Sequence, residues 1–186
     1  DGKPGAAVVG SRFPSVIDSV QGALAGPMFR VYGNSDLNGV EVGGAIAGLI
    51  AVAIGLADGL DLGPGVRGAL FARGIAESGR LAVALGGRAD TISGMAGLGY
   101  LAATTSPPVG VEMSMGRALA SGKTVEDIRA RNARDVRELI ATCEAVADAA
   151  RSRGVRAHIT SAIASVFLDG HAPAEAVADL LSLGQM

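Results

Sequence analysis

Apolar and polar positions divide this chain into two unequal parts. Near the amino end the apolar residues come in short unbroken runs. Ala6-Ala7-Val8-Val9 lies between Gly5 and Gly10, and Met28-Phe29-Arg30-Val31-Tyr32 precedes the turn-prone Gly33-Asn34-Ser35-Asp36. Each run predicts a strand. Between them Val16, Ile17, Val20 and Leu24 recur at helical spacing after Pro14, and Gly26-Pro27 closes that helix. Strand, helix, strand in this order is the unit of a parallel sheet. Two strands are marginal as a sheet in water, and their free edges need partners. The pattern over residues 1–36 therefore requires a companion: an absent upstream segment, a second chain, or a symmetry mate.

From Leu37 to Met186 the pattern turns helical almost throughout. An apolar helix is predicted over Val42–Leu56 and, after the Gly59–Gly65 turn with Pro64, a second over Val66–Leu85, stopped by Gly86-Gly87. Thr91–Leu101 reads as a short Gly-rich helix or a pair of turns, and Pro107-Pro108 interrupts any helix there. Thr124-Val125-Glu126-Asp127 resembles a capping box opening a polar helix. Over Ala133–Arg153, Val136, Ile140, Cys143 and Val146 share one face with charges opposite. Ser161–Leu168 and Ala174–Leu183 are two closing helices.

Composition narrows the chemistry. Aromatic residues are 3% with no Trp, while Gly reaches 28, so the core is built of small and aliphatic side chains suited to close helix packing. The net charge of −2 offers no basic surface for nucleic acid or an anionic membrane. One cysteine, Cys143, rules out an internal disulfide framework, and two histidines, His158 and His171, argue against a metal site. No signal peptide opens the chain, so a cytoplasmic setting is expected. Its start at Asp1 is expected of a fragment or a processed product. The uncharged run Val42–Ala57, with Gly44-x-x-x-Gly48, is short of the ~20 residues of a membrane span and reads as a buried core helix.

Several words in this sequence resemble those of the NAD(P)-dependent glycerol-3-phosphate dehydrogenase family. They are Val31-Tyr32-Gly33-Asn34-Ser35-Asp36, then Gly39-Val40-Glu41-Val42-Gly43-Gly44-Ala45, then Gly55 to Gly63, Ala72-Arg73-Gly74-Ile75-Ala76-Glu77, and Gly94-Met95-Ala96-Gly97-Leu98-Gly99. The resemblance runs from Pro4 to about Leu183, the later half of that family's chain. It implies a mainly α fold: a helical substrate domain of the 6-phosphogluconate-dehydrogenase C-terminal-like type over 37–186. A two-strand βαβ remnant of a nucleotide-binding sheet precedes it over 1–36.

The resemblance also shows what has changed. In the family a lysine polarises the carbonyl, an Asp and a Thr help position it, and an Arg-Asn pair helps bind phosphate and cofactor. Here Ala47 stands at the lysine and Gly48 at the Asn after it; Tyr100 replaces the Asp, while Thr104 remains. Val111 and Glu112 occupy the positions of the Arg-Asn pair, and Pro107–Met115 holds no Arg or Asn. The family's later Glu-Gly-Val becomes Arg134-Asp135-Val136. A developing alkoxide needs an acid or cation beside it, and losing one such group costs about 10²–10⁴-fold. Glycerol-3-phosphate dehydrogenase activity is not expected of this chain, nor a nicotinamide cofactor, nor any other. Gly97-x-Gly99-x-x-Ala102 matches a dinucleotide fingerprint only in letters, since no strand precedes it.

The expected site is a repurposed pocket for an apolar small molecule. Tyr100, Glu112 and Thr104 are its candidate acid, base or positioning groups, and Ala47, Gly48, Arg73, Val111 and Met113 are its candidate ligand-binding walls, with Met115 near. Isomerase, cyclase or lyase chemistry fits such a site. For each residue a plain structural role competes: Arg73 pairing with Glu77 or capping a loop, His158 starting a helix, Cys143 filling the core, and Glu41 and Asp58 serving helix ends. Alternative readings are the C-terminal part of a split or processed dehydrogenase-like protein, and a non-catalytic assembly protein. Expected partners are a small-molecule ligand and either a homodimer mate or a companion chain supplying the missing nucleotide-binding domain; nucleic acid and membrane are not expected.

Overall fold

The structure is a computed structural model and describes residues 2–182. Leu183 and Met186, where the predicted last helix and the helical stretch end, lie outside the described residues.

The amino-terminal unit is strand, helix, strand: β1 (Gly5–Gly10), α1 (Pro14–Leu24) and β2 (Phe29–Asn34). The strands pair in parallel, with Gly5 opposite Phe29 and Gly10 opposite Asn34. Pro14 opens α1, where its missing N–H costs nothing. No residue of α1 is buried.

Asp36 joins this unit to the helical part. Its carboxylate accepts from the backbone N–H of Gly39 (3.0 Å), the backbone N–H of Arg88 (2.8 Å) and the Thr91 hydroxyl (2.7 Å). It thereby caps α2 (Leu37–Gly59), so that helix starts before the predicted Val42. Burial pushes the Asp36 carboxyl up, but its three hydrogen bonds and the Arg88 guanidinium outweigh this and hold it below its ordinary value.

α2 is the axis of the fold. Ile46 through Ala57 are all buried, on every side of the helix. A helix apolar all round belongs either in a core or in a membrane, and here it is long and apolar enough to cross one. It is instead packed by α3 (Gly63–Ala84), α6 (Val111–Ala120) and α9 (His158–Leu168). Pro64 lies inside the first turn of α3, not in the turn before it, and Gly86 at φ 81° follows the helix end.

The Thr91–Leu101 stretch resolves into α4 (Ala89–Ile92), one π-helical turn over Met95–Gly99, and α5 (Tyr100–Thr104). Gly97 is needed for packing: a Cβ there would lie 2.3 Å from the Ile92 carbonyl oxygen. Sequence reading gave no helix over 111–120. Gly110 supplies no side-chain cap to α6, so the usual start signal is missing. That helix packs backbone to backbone against α2. A Cβ on Gly55 would lie 2.1 Å from the Met113 carbonyl oxygen, and one on Gly116 2.1 Å from that of Val52. The close-packing pair on α2 is therefore Gly55 and Gly59, not Gly44 and Gly48: nothing lies within 4 Å of a Cβ on Gly44.

The remaining helices are α7 (Val125–Arg129), α8 (Ala133–Arg153) and α10 (Pro173–Ser182). The capping box is present, Thr124 accepting from the Asp127 N–H and Asp127 from the Thr124 N–H, but the helix it opens is a single short one. α8 has the predicted bounds, buries Val136, Cys143 and Val146, and stops at Gly154, φ 64°. Burial pushes the Cys143 thiol up to about 12, so it is core and not a nucleophile.

Candidate functional site

Three of the predicted site residues meet around one carboxylate. α5 carries Tyr100 and Thr104 one helical turn apart, so both point the same way. Glu112, in the first turn of α6, lies across from them. The Tyr100 hydroxyl donates to Glu112 Oε1 at 3.3 Å, and the Thr104 hydroxyl donates to Oε2 at 3.3 Å. Gly110 sets this geometry. Its N–H donates to the Thr104 carbonyl at 2.7 Å, and a Cβ there would lie 1.9 Å from Thr104 Oγ1. Gly48 of α2 backs the cluster, since a Cβ on it would rest 3.5 Å from Glu112 Cγ.

Two cavities adjoin at this cluster, with Gly44 and Tyr100 lining both. The smaller, about 120 Å³, is bounded by Gly48, Tyr100 and Glu112 and, from α8, Asp135, Glu138 and Thr142. The larger, about 610 Å³, is apolar and lies between β1 and the π turn, with Val40, Met95, Ala96 and Ala103 in its wall. Neither is lined by Lys or Arg. Burial first, then the Glu112 carboxylate, with Glu138 beyond it, holds the Tyr100 phenol above its usual value. Tyr100 therefore keeps its proton at neutral pH and acts as a hydrogen-bond donor, not as a base.

This corrects the expected wall in several respects. Ala47 and Met113 line neither cavity; both are packed in the core, 2% and 0% exposed. Val111 packs against the core from the start of α6 and lines neither cavity. Arg73 is remote from the site and donates to the Leu180 carbonyl at 3.0 Å, in the last turn of α10. It does not pair with Glu77. The smaller cavity is not apolar either, because Glu112, Asp135 and Glu138 all border it. Asp135 was noted only as part of an altered family word and Glu138 not at all, because both lie on α8, far along the chain. The amphipathic pattern of α8 places them opposite its apolar face and gives no sign of a pocket there.

The other candidates have structural roles. Glu77, 2% exposed, accepts from the Ile159 N–H (3.0 Å), the Thr160 N–H (2.9 Å) and the Thr160 hydroxyl (2.8 Å), capping α9 from a different helix. Asp58, in the last turn of α2, pairs with Arg117 at 2.7 Å and Arg67 at 3.6 Å. His158 is the first residue of α9 and is exposed. Among the described residues no cluster of His, Cys, Asp and Glu could hold a metal ion.

The molecule is thus a helical bundle around one buried helix, with a carboxylate-centred pocket on one flank and a two-strand parallel sheet at its amino end. Comparison with known proteins places it further. The model of the family "NAD-dependent glycerol-3-phosphate dehydrogenase C-terminus" matches residues 36–178. The NAD(P)+ glycerol-3-phosphate dehydrogenase of Streptomyces coelicolor is 41% identical over 179 residues, covering 96% of this chain and 53% of that protein. That of Cupriavidus taiwanensis is 42% identical over 180 residues, covering 97% and 53%. The crystal structure of glycerol-3-phosphate dehydrogenase from Coxiella burnetii superposes with a TM-score of 0.89 at 31% identity, over 96% of this chain and 55% of that one. The chain belongs to the glycerol-3-phosphate dehydrogenase family and corresponds to its C-terminal domain. It spans about half the length of the relatives it matches.

Proposed function

We propose that this chain is the helical half of a glycerol-3-phosphate dehydrogenase-like protein that does not reduce triose phosphate, and that its altered site holds a small molecule lacking a phosphate. The observation behind this reading is Glu112, fixed by Tyr100 and Thr104 in a site whose cavities have no cationic side chain in their walls. A phosphate dianion requires charge-assisted donors; here it would meet Glu112, Asp135 and Glu138. The ligand this site favours has an apolar body for the larger cavity and a neutral or cationic end that donates toward Glu112. Proton-transfer chemistry of the isomerase, cyclase or lyase type is consistent with it. In such chemistry Glu112 is the acceptor, while Tyr100 and Thr104 hold its two oxygens. No nicotinamide cofactor enters this reading. We divide the chain at residues 36 and 37 and place it in the cytoplasm.

Calorimetric titration with glycerol 3-phosphate tests the charge argument. The unaltered chain is expected to give no binding, and the Val111→Arg/Glu112→Asn double variant is expected to gain it. Saturable binding of glycerol 3-phosphate to the unaltered chain overturns the proposal. A second reading, in which a companion polypeptide completes the site, is favoured by the exposed apolar residues of the amino-terminal unit. Phe13, Leu24 and Met28 are 66%, 58% and 52% exposed.

A further inference from the structure

The cavities around Glu112 lie at one end of α6. At its other end is a further cavity, of about 500 Å³, which shares no residue with them. Leu119, in the last turn of α6 and in the wall of this cavity, lies roughly 10 Å along the helix from Glu112 at ~1.5 Å per residue. Two turns border the opening. Gly122, at φ 86°, leads the chain from α6 toward α7, and Gly170, at φ 70°, leads it from α9 toward α10. Both conformations suit glycine. A Cβ on either would meet nothing within 4 Å, so the turns leave the opening clear. The inner wall is apolar: Leu119, Val166 and Phe167, all nearly buried, supply it.

The rim is charged, with an excess of one positive charge. Lys123 and Arg129 face one carboxylate, Glu126, and the His171 imidazole lies beside them. Arg129 reaches Glu126 only at 3.8 Å, in a contact exposed on both sides. Such a pair contributes little in water, so Arg129 can turn to a better acceptor. Asp127, next to the cavity, spends its carboxylate on the Thr124 N–H and hydroxyl, each at 2.9 Å. Its charge reaches Lys123 through space, but among the described residues Lys123 makes no ion pair within 4 Å. The balance at the other end of α6 is the reverse, since the small cavity there has Glu112, Asp135 and Glu138 in its wall and no cation.

We propose that this cleft is a second ligand site and that it takes a monocarboxylate with an apolar body, of the arylalkanoate class. The carboxylate meets the Lys123 ammonium and the Arg129 guanidinium, both charge-assisted donors. The body lies on Leu119, Val166 and the Phe167 ring. An apolar wall with a few convergent polar groups, at this volume, is how small-molecule sites are built. A phosphate dianion fits less well, since it brings two charges to a rim with an excess of one and nothing for the apolar wall. An amine fits least, because it leaves both cations unpaired. The inference does not rest on the reading of the Glu112 pocket.

Titration of this chain with phenylbutyrate, followed by calorimetry and by amide chemical shifts of isotope-labelled protein, tests the proposal. One saturable site is expected, with shifts at Leu119, Gly122, Val166, Phe167 and Gly170 and none at Gly44, Gly48 or Tyr100. Phenylbutylamine has the same body with the opposite charge, and it is expected to bind about 10-fold more weakly or worse. Lys123 and Ala172 are exposed, so substitutions there leave the fold intact; an unchanged thermal midpoint checks this. Lys123→Glu is expected to weaken phenylbutyrate about 10-fold or more, and Lys123→Arg to retain it. Ala172→Trp, in the wall of the opening, is expected to block it. Inorganic phosphate is expected to show no saturable binding. Equal binding of the amine and the carboxylate overturns the proposal, and so does binding that does not saturate. Shifts centred on Tyr100, indifference to Lys123→Glu, or phosphate binding as tight as that of phenylbutyrate overturn it too. Glycerol 3-phosphate titration reads the Glu112 end of α6, so failure of the one is separable from failure of the other.

Discussion

The strand–helix–strand unit and the helical bundle follow equally regular local patterns, yet only one of them has an inside. α1 buries nothing, and Val16, Leu24, Phe29 and Tyr32 remain 37–58% exposed. α2, by contrast, places Leu49 through Ile54 at 0% exposure. The lesson is that an amphipathic pattern specifies a surface to be covered, not the surface that covers it. In the bundle the apolar faces of α2, α3, α6, α8 and α9 pack into one core. In the amino-terminal unit the apolar residues of α1 and β2 face outward.

Substitutions at five positions sharpen the contrast. Glu77→Ala should be the most damaging, by about 3–5 kcal/mol, because it strands the buried Ile159 and Thr160 N–H groups. Urea denaturation gives the value, and a loss under 1 kcal/mol would show that α9 needs no cap from α3. Gly116→Ala should follow at about 3 kcal/mol, since its Cβ would collide with the backbone of α2. Gly44→Ala is the paired control: on an open helix surface it should be neutral or stabilising by up to about 1 kcal/mol. The reverse order would return the helix contact to Gly44.

Asp36→Ala, at the junction, is expected to cost about 1–2 kcal/mol through its cap. Its pH dependence has a definite sign. The folded-state pKa lies below the ordinary value, so the unfolded chain takes up the proton first as pH falls. The stabilisation is complete above the ordinary carboxylate pKa of about 3.9 and is lost as pH drops through the folded value. The Asp36→Asn protein should therefore lose less stability than the unaltered chain on acidification from pH 5, as followed by thermal melting. Smallest of all, Leu24→Ser should change the stability of this chain by less than about 0.5 kcal/mol. A larger loss by calorimetry would mean that α1 already has a partner.

Much of this was legible in the residues. Period and punctuation placed β1, α1, β2 and α8 almost to the residue, and the Tyr100, Thr104 and Glu112 positions came from matching words in order. The misses share one cause. α6 starts without a capping side chain, so nothing local announces it. Arg73 and Glu77 look like a pair one turn apart, yet each bonds a helix far along the chain. Asp135 and Glu138 look like plain helix-surface charges until the fold brings them to the rim of the small cavity that Tyr100 and Glu112 also line.

The sequence alone determined most of the segments that coil, among them β1, α1, β2 and α8, and the family words that identify the chain. These are matters of local sterics, hydrogen bonding and residue identity, and they need no neighbour. Tertiary structure alone decided that Gly55 and Gly116 make the tight contact, that Ala47 lies in the core, and that Glu77 caps a distant helix. Each of these depends on which groups meet across the fold, and the free energy of a contact or an unpaired backbone group depends on both members of the pair.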